Sequence, residues 1–255
     1  MRIPTPREIV RSIRPRRVRA ARVAFRYLTN PRLQQFVSGL RKDGLTYLRT
    51  DALLDLYDAA RVLERRQVAG IFIEAGCALG GSALVIAFAK RSSRPLFVYD
   101  VFETIPPPSP RDGKDAHMRY HDISNGQARG LAGKTYYGYQ GSLLQTVQET
   151  FRAYGLETKK HNVHLVKGRY EDTLDVSERV AFAHIDCDWY DSVMTCLKQI
   201  VPMLVVGGVL VIDDYDAWSG CKRAVDDYFR DRRDQFEFRR RSRLHILRTR
   251  GGGSY

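Results

Sequence analysis

Short apolar blocks and longer amphipathic blocks alternate along the 255 residues, and the two kinds of block predict different elements. Five short blocks rich in β-branched and aromatic residues predict buried strands at residues 71–74, 96–100, 163–167, 180–186 and 209–213. Segments with helical spacing lie between most of them, at residues 51–66, 83–90, 142–155, 193–201 and 221–230. Residues 236–238 and 244–247 predict a closing antiparallel pair. This order predicts an α/β fold with a doubly wound, mostly parallel, seven-stranded sheet.

Local capping signals set the expected ends of three helices. Asp51 is a candidate N-cap for the first of them, and Asp191 for the helix after the fourth strand. Ser142 and Gln145 have the spacing of a capping box, and Gly155 suits the end of the same helix.

Three carboxylates follow two of the predicted strands. Asp186 ends the fourth strand, and Asp213 and Asp214 end the fifth. Neighbouring parallel strands lie roughly 5 Å apart, so all three side chains can reach one point at the sheet edge. Like charges held together repel, and Mg²⁺ prefers oxygen ligands, so this pattern predicts a metal site. The alternative is that these acids cap loops or pair with the abundant arginines.

A glycine-rich turn joins the first strand to its helix, with the pattern E-x-G-x-x-x-G-G-S from Glu74 to Ser82. Strand, glycine turn and helix in this order open a nucleotide-binding unit, because glycine lets the backbone approach a ligand closely. Asp100 ends the second strand, where an acid suits the ribose hydroxyls of an adenosine.

Residues 103–141 show no regular period and contain a run of prolines followed by histidines and tyrosines. A long irregular insert in a compact domain is either disordered or functional, and we interpret this one as a lid over the substrate. The candidate substrate contacts are His117, His121 and Tyr137 in the insert, together with Trp189 and Tyr215.

The net charge of +13 is concentrated at the N-terminus, where residues 1–26 hold nine arginines and one acid. We assign residues 1–50 to a basic, partly helical extension and residues 51–250 to the catalytic domain. A basic arm can bind nucleic acid or an anionic membrane surface, or it can pack in a homo-oligomer. The arm carries few aromatic residues and no RNA-binding signature, so nucleic acid is the less favoured partner.

The four cysteines show no metal-binding spacing, and no apolar run is long enough for a transmembrane helix or a signal peptide. These features predict a cytoplasmic protein with reduced cysteines.

Six motifs occur in one order, at residues 74–82, 98–100, 167–174, 184–192, 211–215 and 221–228. Together they resemble the macrocin O-methyltransferase (TylF-type) family over roughly residues 71–229. The resemblance implies a class I, Rossmann-like fold and Mg²⁺-dependent transfer of a methyl group from S-adenosylmethionine to a sugar hydroxyl. Cys187 and Trp189 differ from the residues usual in the family, which leaves the shape of the acceptor pocket open.

The resemblance also implies roles for individual residues. Asp186, Asp213 and Asp214 are the expected metal ligands, with Asp186 also the expected general base. The expected cofactor contacts are Glu74, Gly76 and Ser82 at the methionine end, Asp100 at the ribose, and Gly168, Arg169 and Tyr170 near the adenine.

Two other functions stay open at this point. Asp186 and Asp188 form a D-x-D pair such as metal-dependent glycosyltransferases use, although this leaves Asp213 and Asp214 without a role. The arginine-rich arm would suit a nucleic-acid-binding protein or an RNA methyltransferase.

Overall fold

The computed structural model describes residues 27–250, so the arm at residues 1–26 lies outside the described residues. Seven strands form one sheet in the order β3-β2-β1-β4-β5-β7-β6. Their bounds are β1 Ile71–Ala75, β2 Leu96–Asp100, β3 Val163–Lys167, β4 Val180–Ile185, β5 Leu204–Ile212, β6 Phe236–Arg240 and β7 Leu244–Arg248. The first five strands are parallel, and β7 pairs antiparallel with both β5 and β6. The predicted sheet is confirmed.

Eight α-helices accompany the sheet within residues 27–250: α1 Pro31–Lys42, α2 Thr50–Arg65, α3 Gly81–Ala89, α4 Lys114–Ser124, α5 Leu143–Ala153, α6 Tyr170–Thr173, α7 Tyr190–Ile200 and α8 Ser219–Phe229. Short 3₁₀ turns follow β5 and precede β6, and two more lie in the insert. None of these helices combines the length and the apolar character that crossing a membrane requires.

The core has two parts because successive residues of a strand point to opposite faces of the sheet. Phe72 belongs to a cluster that includes residues of α1, α2, α3 and α5, whereas Ile71 and Ile73 belong to a cluster that includes residues of α7 and α8. Helices therefore cover both faces, and the carboxyl ends of β1, β2, β4 and β5 remain available for a site.

Residues 27–50, the part of the predicted extension that the structure describes, contribute to the core. Helix α1 begins with Pro31 in its first turn and is capped by Asn30, whose side chain accepts a 3.1 Å hydrogen bond from Leu33 N. Leu33, Val37 and Leu40 are buried in the larger cluster. The domain boundary at residue 50 stays a prediction.

The predicted caps of two helices are wrong. Asp51 lies in the first turn of α2 and pairs with Arg49, the residue at the cap position. Ser142 occupies the cap position of α5 but makes no capping hydrogen bond, while Gln145 bonds Glu149 instead. Asp51 lies inside the helix rather than at its cap position, and the Gln145 side chain donates to Glu149 rather than reaching back to Ser142.

Two other predicted features also differ. Strand β5 begins at Leu204, five residues earlier than predicted, because the expected turn at Gly207 and Gly208 is a bulge within the strand. Residues on both sides of the bulge pair with β4. The insert at residues 103–141 is not wholly irregular, since it contains α4.

Candidate active site

A cavity of about 280 Å³ lies at the carboxyl ends of the parallel strands. Sequence-predicted residues from six separate chain segments meet in its lining: Gly76, Asp100, Tyr137, Tyr170, Asp186, Trp189, Asp213 and Asp214. The strand order places them together, because β2, β1, β4 and β5 are consecutive in the sheet.

The other predicted site residues lie elsewhere. Glu74 and Ser82 are buried and hydrogen-bonded to each other, outside the cavity lining. Arg169 lines an adjacent groove, and Gly168 lines neither space. His117 and His121 are exposed on α4, and the Tyr215 hydroxyl bonds Asp226 at 2.7 Å; none of these three lines the cavity.

Gly76 is required by a close approach between two strand ends. Its φ is +92°, and a Cβ at this position would lie 1.8 Å from the carbonyl oxygen of Asp186. The first glycine of the turn therefore lets the end of β1 and the segment after β4 come together. The same contact fixes the backbone of Asp186.

Asp100 holds the glycine turn from the neighbouring strand. Its Oδ2 accepts hydrogen bonds from the backbone N–H groups of Cys77 and Ala78, at 2.8 and 3.1 Å, and its Oδ1 accepts one from Phe102 at 2.7 Å. Burial raises the pKa of Asp100 in spite of these donors. Both oxygens of Asp100 are engaged, and the residue lines the cavity.

The acidic end of the cavity is electrostatically unbalanced. Burial and the repulsion of Asp213 and Asp214 raise the pKa of Asp186 well above its ordinary range. The pKa of Asp214 is raised in the same way, by burial and by the negative charges of Asp188 and Asp213. Asp213 differs, because His184 and Arg243 outweigh its burial and lower its pKa.

His184 was not predicted as a site residue. It is fully buried in β4, with Nδ1 3.0 Å from Glu74 Oε2 and Nε2 3.5 Å from Asp213 Oδ1. The second contact is an ion-pair distance without hydrogen-bond geometry. Burial disfavours the imidazolium, but Glu74 and Asp213 raise the pKa of His184 well above its ordinary value.

Asp188 also borders the cavity, in a strained backbone conformation. Its φ is +58°, a region that non-glycine residues seldom adopt and that clusters at functional sites. Burial raises its pKa to about 7, against a lowering by a hydrogen bond with Trp218. The sequence signal for it was the D-x-D pair.

Contacts with the segment after β4 fasten the insert to the site. Asp112 Oδ1 accepts one from Tyr190 N at 2.7 Å, and so caps α7 from a distant part of the chain. The indole of Trp189 donates to Pro106 O at 2.9 Å. The predicted Asp191 cap is therefore wrong, and Asp191 pairs with Arg111. One wall of the cavity thus comes from the insert.

Arg119, on α4, lies over the ring of Tyr136 at 5.5 Å and also lines the cavity. Tyr47, Tyr136, Tyr137, Trp189 and Trp218 surround the same space. Aromatic faces next to carboxylates suit a polyhydroxylated ligand, because its C–H faces can pack on rings while its hydroxyls reach the acids.

His184, Asp186 and Asp213 each bring one donor atom within 4.8 Å of the others. Within residues 27–250 this is the one group of three or more such side chains. Asp214 adds a further carboxylate to the same cavity lining, and its Oδ2 accepts a 3.3 Å hydrogen bond from Asp188 N. Several oxygen donors with unbalanced negative charge are the donor set that a hard divalent cation requires.

Comparisons with known proteins give one consistent result. The model of the macrocin O-methyltransferase (TylF) family matches residues 42–237. An enzyme of Streptomyces olivaceus, 8-demethyl-8-(2,3-dimethoxy-α-L-rhamnosyl)-tetracenomycin-C 4'-O-methyltransferase, is 31% identical over 172 residues, which cover 63% of this chain and 58% of that protein. Mycinamicin III 3''-O-methyltransferase of Micromonospora griseorubida is 31% identical over 175 residues, covering 66% and 63%. The matches thus span less than two thirds of these relatives.

Two solved structures share the fold. The O-methyltransferase NovP superposes with a TM-score of 0.67 at 22% identity, covering 83% of this chain and 88% of its own. The calicheamicin methyltransferase CalS11 gives 0.60 at 19% identity, with 97% and 94% covered. These similarities confirm the predicted class I fold.

Proposed function

Because this chain belongs to the macrocin O-methyltransferase family, we propose that it is a Mg²⁺-dependent O-methyltransferase that uses S-adenosylmethionine. The acceptor is a sugar hydroxyl in a glycosylated small molecule or a glycolipid. The observation that carries the proposal is the meeting of Asp186, Asp213 and Asp214 in a cavity that the glycine turn also borders.

The cofactor belongs at the β1–β2 side of the cavity. Gly76 and Ala78 offer close backbone approach there, Asp100 borders the place expected for the ribose, and Tyr170 offers a ring for the adenine. Glu74 and Ser82 contribute from behind the turn, since they do not reach the cavity. Gly168 and Arg169 stay predicted adenine neighbours.

Mg²⁺ belongs at Asp186, Asp213 and Asp214, whose charges a cation would balance. When bound, it supplies a Lewis acid that lowers the pKa of a coordinated hydroxyl. The chain's own part is to gather the carboxylates at the end of β4 and β5 and to hold them against their mutual repulsion, through Arg243 and His184.

The proton of the acceptor hydroxyl needs a carboxylate that is free of the cation. Asp186 was predicted for this role, but a metal ligand is a weak base because its charge is shared. Asp188 borders the same cavity and is not one of the three proposed ligands, so its carboxylate stays available to accept a proton. We therefore favour Asp188 as the base, with Asp186 as ligand.

Transfer then follows a simple course. S-adenosylmethionine, when bound, would supply a methyl group for in-line transfer to the acceptor oxygen, with S-adenosylhomocysteine as the leaving product. Asp188 would accept the proton of the hydroxyl. The methyl group is already activated, so positioning and the exclusion of water are the main tasks of the protein. The insert supplies Pro106, Arg119 and Tyr137 to the cavity, and we propose that it acts as the lid.

Other features of the protein stay proposals. Four buried free cysteines agree with a reducing, cytoplasmic setting. The arm at residues 1–26 is proposed to pack in a homo-oligomer, with peripheral membrane contact as the alternative.

Binding of Mn²⁺, a paramagnetic substitute for Mg²⁺, tests the metal assignment directly. Asp213→Asn and Asp214→Asn are expected to lose most Mn²⁺ binding and methyl transfer. Asp216→Asn, an exposed neighbour paired with Arg240, is the matched control and should keep both. Full methyl transfer by Asp213→Asn in EDTA would contradict the proposal.

A further inference from the structure

Arg243 enters the candidate metal site from the C-terminal hairpin, beyond residues 42–237 of the family match. The antiparallel register explains its position. Ile212, the last residue of β5, pairs with Leu244, the first of β7, so Asp213 just after β5 lies beside Arg243 just before β7. A hairpin turn that the family match does not cover therefore contributes a charged group to the site.

Two basic side chains approach the same oxygen of Asp213. Arg243 Nε donates to Oδ1 at 2.7 Å, and His184 Nε2 lies 3.5 Å from Oδ1. Within the described part of the chain, these contacts leave Oδ2 as the oxygen available to a ligand. Oδ1 of Asp213 is thus held by a contact within the protein.

The turn that carries Arg243 is anchored to the body of the domain. Asp55 Oδ2, in α2, accepts hydrogen bonds from Ser242 N at 3.0 Å and from Ser242 Oγ at 2.6 Å. Arg243 Nη1 donates to Ser242 O at 3.0 Å, and the arginine side chain is only 25% exposed. The guanidinium is therefore held in place rather than free to leave Asp213.

These contacts lead to an inference that rests on the proposed metal site. We infer that Arg243 is a positioning residue that restricts Asp213 to binding a cation through one oxygen, and that it thereby selects Mg²⁺ over Ca²⁺. Mg²⁺ takes six ligands in a compact octahedron, whereas Ca²⁺ takes six to eight and often binds carboxylates through both oxygens. Releasing Oδ1 would make the site more suitable for Ca²⁺.

The test measures how strongly Mg²⁺ and Ca²⁺ each displace Mn²⁺ from the full chain, by paramagnetic resonance. In Arg243→Gln the ratio of the two affinities should shift toward Ca²⁺ by about tenfold or more. Arg243→Lys restores a cation beside Oδ1 and should recover much of the selectivity. Arg240→Gln is the matched control, because Arg240 lies on the same hairpin and pairs with the exposed Asp216. Its ratio should equal that of the wild type.

An Arg243→Gln ratio equal to that of the wild type would overturn the inference. If this variant does not fold, Arg243→Met replaces it, because methionine keeps an unbranched side chain but has no donor for Asp213 Oδ1. An unchanged ratio in Arg243→Met would overturn the inference equally. If the wild-type chain bound no divalent cation at all, the proposed function itself would be contradicted. This result differs from an unchanged ratio, so failure of the inference and failure of the proposed function are distinguishable.

Discussion

Glu74 and His184 face each other on neighbouring parallel strands, and a 3.0 Å hydrogen bond joins Glu74 Oε2 to His184 Nδ1. Both side chains are fully buried. Because the other edge of the imidazole faces Asp213, this pair connects the glycine turn with the acidic end of the cavity. Ser82 donates to the second oxygen of Glu74, which completes the buried network.

His184→Ala should lower the free energy of unfolding by about 3–5 kcal/mol, because it leaves Glu74 as an uncompensated buried charge. Urea denaturation measures this change. The double variant Glu74→Gln/His184→Ala should lose less than His184→Ala alone, since the stranded charge is gone. A larger loss in the double variant would contradict the ion-pair account.

Gly76→Ala should displace Asp186, because the new Cβ would meet the Asp186 carbonyl oxygen at 1.8 Å. We expect a fall in the melting temperature and a large loss of methyl transfer. Two controls separate the causes: Gly126→Ala has a positive φ but open space, and Gly141→Ala has open space and no positive φ. If Gly126→Ala were as damaging as Gly76→Ala, backbone strain rather than contact with Asp186 would be responsible.

Asp188 should make the metal-free protein less stable as the pH rises. Its pKa is raised from 3.8 to about 7 in the fold, so the folded chain keeps a proton that the unfolded chain loses within this range. The stability from this group is complete below about pH 4 and is lost by about pH 7. In EDTA, Asp188→Asn should therefore gain stability relative to the wild type between pH 5 and pH 8.

Thermal unfolding across this pH range checks the prediction, with Asp191→Asn, which removes an exposed pair with Arg111, as the control. A stability difference between Asp188→Asn and the wild type that does not change with pH would show that Asp188 titrates normally.

Asp112→Ala should loosen the insert, because it removes the acceptor for Tyr190 N at the start of α7. A lost cap of this kind costs about 1 kcal/mol. Proteolysis within residues 103–141 should accelerate and the KM for the acceptor should rise, while S-adenosylhomocysteine binding stays unchanged. Asp122→Ala, which changes an exposed acid of the same insert, should behave as the wild type. Equal proteolysis of both variants would rule out Asp112 as the anchor.

The sheet and the acid-tipped strands were predictable from sequence, because buried parallel strands are short apolar runs and the acids follow them directly. The proximity of Asp186 and Asp213 could be predicted because β4 and β5 were expected to be neighbours.

The capping predictions failed because the actual contacts are not local in the sequence. Tyr190 N is capped by Asp112, 78 residues away, and no local pattern reveals such a contact.

Arg243 and His184 were not predicted as site residues because their contacts also depend on tertiary structure. Arg243 reaches Asp213 through the register of an antiparallel pair, and His184 reaches Glu74 through the register of a parallel pair. A shift of one residue would turn either side chain to the other face of the sheet. The strained φ of Asp188 likewise follows from tertiary packing, although its acidic spacing was visible.

Calorimetric titration of the full chain with S-adenosylhomocysteine, in the presence of Mg²⁺ and again in EDTA, measures whether the proposed cofactor binds. We expect saturable binding at one site per chain in Mg²⁺, and in a separate titration with Mg²⁺ we expect heat that Asp213→Asn abolishes. Absence of S-adenosylhomocysteine binding in both conditions would contradict the proposed function.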